Sequence, residues 1–329
     1  MKRNYYNPKT HIGNQPIRVL KWNIACCLEK THPHFKKEYE DVLSLHNLKP
    51  SIIYDTAEAP IYSTIFPYSD PIPEIRHLTP HVDNNKNITI QETFLSYLWI
   101  MCYFHLVTYG EIAEKIYLNR LVTHKYKINT QPVIFADLLC NYGRSLITRY
   151  TVWNKELLPN PELYDDSDIY IEKTNSLFVH AVNFVLLHEF AHIKLGHMNP
   201  NKFNDSNEIR KRDEQLADSY AINTMLAGAF NSKEKLNRIL GMTIGLGALL
   251  LLFSNATSNT HPASDDRLET LLTQLKLDDM SKIWLFASLS IIFWDQSYKK
   301  DIIWPREAKS SKDLFYLAYD QLRVRNLMK

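Results

Sequence analysis

Glycine is scarce in this 329-residue chain, with 8 residues against 19 tyrosines and 14 phenylalanines. Neither G-x-G-x-x-G nor G-K-[ST] occurs, so the Rossmann and P-loop routes to phosphate binding are excluded. Cysteine is scarce as well. Cys26, Cys27, Cys102 and Cys140 show no C-x-x-C spacing, which excludes a disulfide framework and a zinc-finger pattern and points to a reducing compartment. An excess of one charge sign is missing: 38 Lys+Arg stand against 36 Asp+Glu, a net charge of +2. That is no nucleic-acid footprint, and no nucleic-acid partner is expected. The N-terminal MKRNYYNPKTHIG lacks an apolar h-region, so no signal peptide is expected and the chain reads as cytoplasmic.

Long hydrophobic runs are the last absence. Residues 93–110 lack Asp, Glu, Lys and Arg, and 239–253 and 283–294 are runs of 15 and 12. A helix needs about 20 apolar residues to span a bilayer. All three are read as buried core helices, and membrane association is not expected. What is present is ordinary for a soluble protein, 45% hydrophobic and 22% charged residues, enough for a large core.

Pro60, Pro67, Pro71, Pro73 and Pro80 break up residues 59–87 and predict a long ordered loop. It separates an N-terminal region, 1–84, with a possible regulatory role from a catalytic domain, 85–329. KNITI (86–90) reads as a strand followed by a helix to about residue 118, and DIYIE (168–172) as a second strand. Thr174, Asn175 and Ser176 offer a helix cap. Leu177, Ala181, Phe184, His188, His192 and Leu195 then recur at helical spacing until Gly196 stops the helix. A further helix is expected over 206–227, and another from His261-Pro262. The fold class is mainly α with a small β-sheet.

Within the first of these helices, His188-Glu189-Phe190-Ala191-His192 matches H-E-x-x-H. Residues four apart share a helix face, so His188 and His192 can direct two imidazoles at one zinc ion. Glu189 projects about 100° round from His188 and can serve as general base on a metal-bound water. Both histidines lie on the apolar stripe of their helix, where polar groups without a partner are costly. His197 is five residues past His192, which breaks metzincin spacing, and reads as a loop or packing residue. The third ligand is expected to be Glu214, in RDEQLADSYA, with Asp213 and Glu208 as weaker substitutes. Small Ala217 and Ala221 allow close helix approach, and Asp218 can accept a hydrogen bond from a ligating imidazole. In THPASDDRLETL, His261 and Arg267 can stabilise an oxyanion. On chemistry alone the plainer reading is preferred: His261 caps a helix and Arg267 pairs with Asp265 or Asp266.

The order HEFAH, EQLAD, HPASDDR is similar to gluzincin metallopeptidases of the HtpX and CaaX-prenyl-peptidase type. That resemblance implies a zincin fold, zinc held by His188, His192 and Glu214, a catalytic Glu189, and site roles for His261 and Arg267. Those families are integral membrane proteins with several spans, which this chain does not offer. The phrase NSLFVHAVNFVLLHEFAHIKLGH, with ITIQETFLSYLW upstream, more closely resembles the Lit-type phage-exclusion peptidases of bacteria, over about 85–275. It implies a latent cytoplasmic endopeptidase, triggered by a phage-derived or protein activator, that cleaves a host protein such as a translation elongation factor. The competing expectations are a zinc-binding sensor with a closed site, His197 supplying a fourth ligand, and a membrane-associated housekeeping protease. Substrate backbone is expected to add alongside a sheet edge, for which DIYIE is the candidate.

Overall fold

The computed structural model describes residues 2–4, 6–9, 11, 13–35, 37–38, 51–53, 79–82, 86–115, 128–148, 151–198, 206–227, 229, 231–253, 261–299, 301–304 and 308–327. The Pro-rich stretch lies almost wholly outside them. Strand β1 (Lys2–Asn4) and helix α1 (Lys21–Thr31) are followed by strands β2 (Ser51–Ile53), β3 (His81–Val82) and β4 (Ile88–Gln91). Helices α2 (Glu92–Thr108) and α3 (Thr130–Thr148) come next, then strand β5 (Leu163–Asp165). The chain continues through α4 (Ile169–Lys194), α5 (Asn207–Ala227), α6 (Ser232–Leu252), α7 (Ser264–Gln274), α8 (Lys282–Tyr298) and α9 (Ser311–Leu327). The molecule is thus mainly helical. Its small sheet has the order β2-β4-β3, with β2 parallel and β3 antiparallel to β4, and β1 pairs antiparallel with β5.

Helix α4 is the centre of the body and packs against α1, α2, α5 and α6. It starts earlier than its periodicity suggests. DIYIE is not a strand: Asp168 caps the helix, accepting the N–H groups of Tyr170 (3.0 Å) and Ile171 (3.3 Å). The alternation of Ile169 and Ile171 imitates a strand, but Ile169 is exposed and Ile171 buried on successive faces of the first helical turn. At the other end Gly196, at φ +73°, adopts the left-handed conformation that turns the chain back on the helix.

Gly241 of α6 lies against α4 so closely that a Cβ there would stand 2.9 Å from the Ala181 nitrogen. The three apolar runs occupy α2, α6 and α8 and are largely buried. By length and apolar content alone α4 and α6 could each cross a bilayer, yet 83% and 78% of their most apolar windows are buried inside the protein. The N-terminal residues belong to the same body. Ile17, Leu20 and Leu28 join the common core, and buried Glu92 accepts the backbone N–H groups of Asn14 and Gln15. Phe35 packs its ring, tilted, against Phe190 of α4 at 4.9 Å, and Lys194 donates to Glu38 at 2.6 Å.

Candidate functional site

One helical turn separates His188 from His192 on α4, and α5 presents Glu214 to both. Small Ala217 and Ala221, fully buried on α5, allow the two helices to meet closely. The two Nε2 atoms are 3.1 Å apart. Glu214 places Oε2 3.3 Å from His188 Nε2 and Oε1 3.4 Å from His192 Nε2. Ligand atoms about 2.0–2.1 Å from a tetrahedral zinc stand roughly 3.3 Å from one another. The three separations therefore suit one small cation. Among the described residues, this is the one group of three or more His, Cys, Asp or Glu brought together closely enough to hold a metal.

The outer nitrogens of both imidazoles also face polar neighbours. His188 Nδ1 is 2.9 Å from Asp218 Oδ1. Arg267 grips the same carboxylate through Nε and Nη2, both at 2.7 Å. The expected pairing of Arg267 with Asp265 or Asp266 is not made. Asp266 accepts from the Tyr319 hydroxyl at 2.7 Å, while Asp265 is buried and its carboxyl is pushed up to about 6 by that burial. Asp218 instead offers the guanidinium two oxygens in a fork. His261 does not lie inside a helix, since α7 begins at Ser264; its half-exposed ring reaches Glu214 Oε1 at 3.3 Å from the rim.

His197 lies beside the cluster with its ring turned toward His192. Its Nδ1 is 3.1 Å from His192 Nδ1, on the side of that ring away from Glu214, and its Nε2 is 3.4 Å from Asp213 Oδ1. Its two ring nitrogens thus face His192 and Asp213, and neither His197 nor Asp213 is part of the three-residue group. Glu208 is exposed on the first turn of α5 and stays outside the cluster.

The charges divide sharply. Burial opposes protonation of His188, but the carboxylates of Asp218 and Glu214 outweigh it and hold its pKa up at about 10. Burial takes His192 the other way, to about 4. Burial works against ionised Glu214, yet its histidine neighbours hold it well below the carboxylate range. Asp218 is kept at about 2, its desolvation overcome by Arg267 and His188. Glu189 has no such support. Burial raises it to about 7 despite nearby His188, so at neutral pH it can both take and return a proton.

A carboxyl poised near neutrality beside two histidines and a fixed carboxylate has the parts of a hydrolytic site. The comparisons agree with that chemistry. The peptidase U49 family model matches residues 88–287, from β4 into α8. The cell death peptidase of Escherichia coli (strain K12) is 23% identical over 212 residues, covering 61% of this chain and 67% of that protein. No solved structure matches. The matched region spans more than half of the chain and contains every residue of the cluster, and the chain accordingly belongs to the peptidase U49 family.

Proposed function

We propose that this peptidase is a zinc-dependent endopeptidase with a zincin-like arrangement, its metal held by His188, His192 and Glu214. The observation that carries this reading is the 3.1–3.4 Å spacing of those three largely buried side chains between α4 and α5. A zinc ion there would supply Lewis acidity toward the scissile carbonyl and make bound water acidic near neutral pH. Glu189 removes the water's proton and returns it to the leaving amine, a cycle that its pKa of about 7 favours. Asp218, held by Arg267, fixes the His188 ring. His261 stands at the mouth, where it can donate to the developing oxyanion. With DIYIE helical, we take β3, the edge strand that contacts α4, as the candidate for an incoming peptide backbone.

The zinc content of purified wild-type protein beside Glu214→Ala tests the site. About one zinc per chain in the first and a large loss in the second are expected. Little zinc in either would end the metallopeptidase reading.

The biological role we propose is a latent anti-phage protease that acts in the cytoplasm on a host protein, with a translation elongation factor as the first substrate to try. The name of the Escherichia coli relative, a cell death peptidase, supports a lethal and therefore restrained activity. The restraint is assigned to residues 1–84, with a phage-derived or protein activator to release it. Phe35 and Glu38 lean on the helix that bears the site, through Phe190 and Lys194.

A further inference from the structure

His197 has no part in the sequence motif, yet its ring is set between a ligand and a carboxylate. We propose that His197, oriented by Asp213, is a positioning residue for His192, acting through the imidazole nitrogen that faces away from the metal. This inference rests on the zinc reading of the site.

The reasoning is a chain of tautomers. Nε2 of His192 points into the cluster, 3.1 Å from His188 Nε2 and 3.4 Å from Glu214 Oε1. A neutral imidazole that binds a cation through Nε2 must carry its proton on Nδ1. That N–H needs an acceptor, because a ligand ring held at one point can still rotate. The atom facing it is Nδ1 of His197, at 3.1 Å. To accept there, His197 must be neutral and protonated on Nε2. Its Nε2 lies 3.4 Å from Asp213 Oδ1, a carboxylate suited to receive that proton. Every link therefore carries one proton pointing outward, from His192 to His197 to Asp213.

The local fold explains why His197 is available. The backbone N–H of His197 bonds to the carbonyl of His192 at 2.9 Å, and the left-handed turn at Gly196 lets the chain fold back to do so. The result is a ring only 5% exposed beside His192. Asp213 directly precedes the ligand Glu214, so α5 supplies a ligand and the end of this chain from consecutive residues. His188 has its own support in Asp218 and Arg267. The two ligand imidazoles are thus braced by different groups on different sides.

Zinc binding to the full chain tests the inference, using zinc alone in competition with a chromogenic chelator, together with the visible spectrum of the cobalt-substituted protein. His197→Phe keeps a ring but removes the acceptor nitrogen. Its zinc affinity is expected to fall about 10–100-fold, with a shifted cobalt spectrum. Asp213→Asn should show part of the same loss, and the double variant should be no worse than His197→Phe alone, since both act through one ring. An unchanged affinity and cobalt spectrum in a folded His197→Phe protein would reduce His197 to packing and overturn the inference. If that variant fails to fold, Asp213→Asn decides: weaker zinc binding supports the inference, and wild-type binding overturns it. A wild-type protein that takes up neither zinc nor cobalt would instead overturn the metal site itself.

Discussion

Arg267 follows Asp265 and Asp266 in the chain, yet its guanidinium reaches across to Asp218, 49 residues earlier. Both partners are almost wholly buried, at 9% and 8% side-chain exposure. A fork-shaped ion pair of this kind is worth little against an apolar replacement but is costly to break from one side. Arg267→Ala should therefore destabilise the protein by about 3–5 kcal/mol, read from urea unfolding. It should also weaken zinc binding, because Asp218, no longer held by Arg267, would orient the His188 ring less firmly. Arg267→Lys keeps the charge but loses the second hydrogen bond, and should fall between the two. Glu189 behaves differently. Glu189→Gln removes the proton carrier without touching the three ligands. We expect zinc content at the wild-type level with cleavage reduced at least 10²–10⁴-fold, and metal-dependent cleavage retained in that variant would refute Glu189 as the base.

At the scale of elements, the packing of α4 on α6 depends on one absent side chain. A Cβ at Gly241 would press on the backbone of Ala181 and on the His180 Cβ, at 2.9 and 2.6 Å. Backbone cannot rotate away as a side chain can. Gly241→Ala should cost about 1–3 kcal/mol and lower the melting temperature, although alanine is the better helix former. A melting curve at or above the wild-type one would show that the helices separate more easily than this geometry allows. The same elements show what the sequence makes legible. H-E-x-x-H is a local pattern on one helix, and its two histidines can be read as convergent from the helical period alone. Glu214 was reachable because the E-x-x-A-D segment has its own periodicity. His197 was not, because its role depends on a turn at Gly196 and on a carboxylate from another helix. The strand assigned to DIYIE failed for a related reason. Alternation over a few residues cannot outweigh one good cap, and Asp168 supplies that cap through side-chain hydrogen bonds invisible to periodicity. Within residues 1–84, Ile17, Leu20 and Leu28 pack into the common core.

For the whole molecule, two buried histidines outside the cluster tie stability to pH. His105 bridges α2 and α8, donating from Nδ1 to the Met101 carbonyl and accepting from Ser290. His180 of α4 meets Cys27 of α1. Burial lowers both to about 4, with Arg238 adding to the effect at His180. Unfolded histidines titrate near 6.5, so between pH 6.5 and 4 the unfolded chain binds protons that the native protein refuses. The contribution of these two histidines is fully present above pH 6.5 and falls as the medium is acidified, by up to about 3 kcal/mol per histidine at pH 4. Urea unfolding at pH 7 and pH 5 should show the loss, and His105→Gln should flatten it; an equally steep fall in that variant would place the titration elsewhere. The contact of Phe35 and Glu38 with α4 makes a second expectation at this scale. Phe35→Ala with Glu38→Gln should raise basal cleavage in a folded protein, and unchanged cleavage would remove the N-terminal region as a restraint.

Helix α4 lies at the middle of the molecule and bears the site at its C-terminal end. One segment therefore answers to two demands, filling space on every side and presenting chemistry at one point. A saturation screen that selects for survival against a harmful activity would not single out His188, Glu189 and His192. Inactivating changes would fall all round the helix from Phe178 to Ile193, since Phe178, Phe184, Leu187 and Phe190 are all deeply buried. The map of tolerated substitutions would show a cylinder of intolerance where a surface-mounted site would show a spot. Separating the two causes would require scoring soluble yield beside survival. Positions where a change spares the yield and abolishes the harm would then trace the catalytic face as a narrow strip along the cylinder.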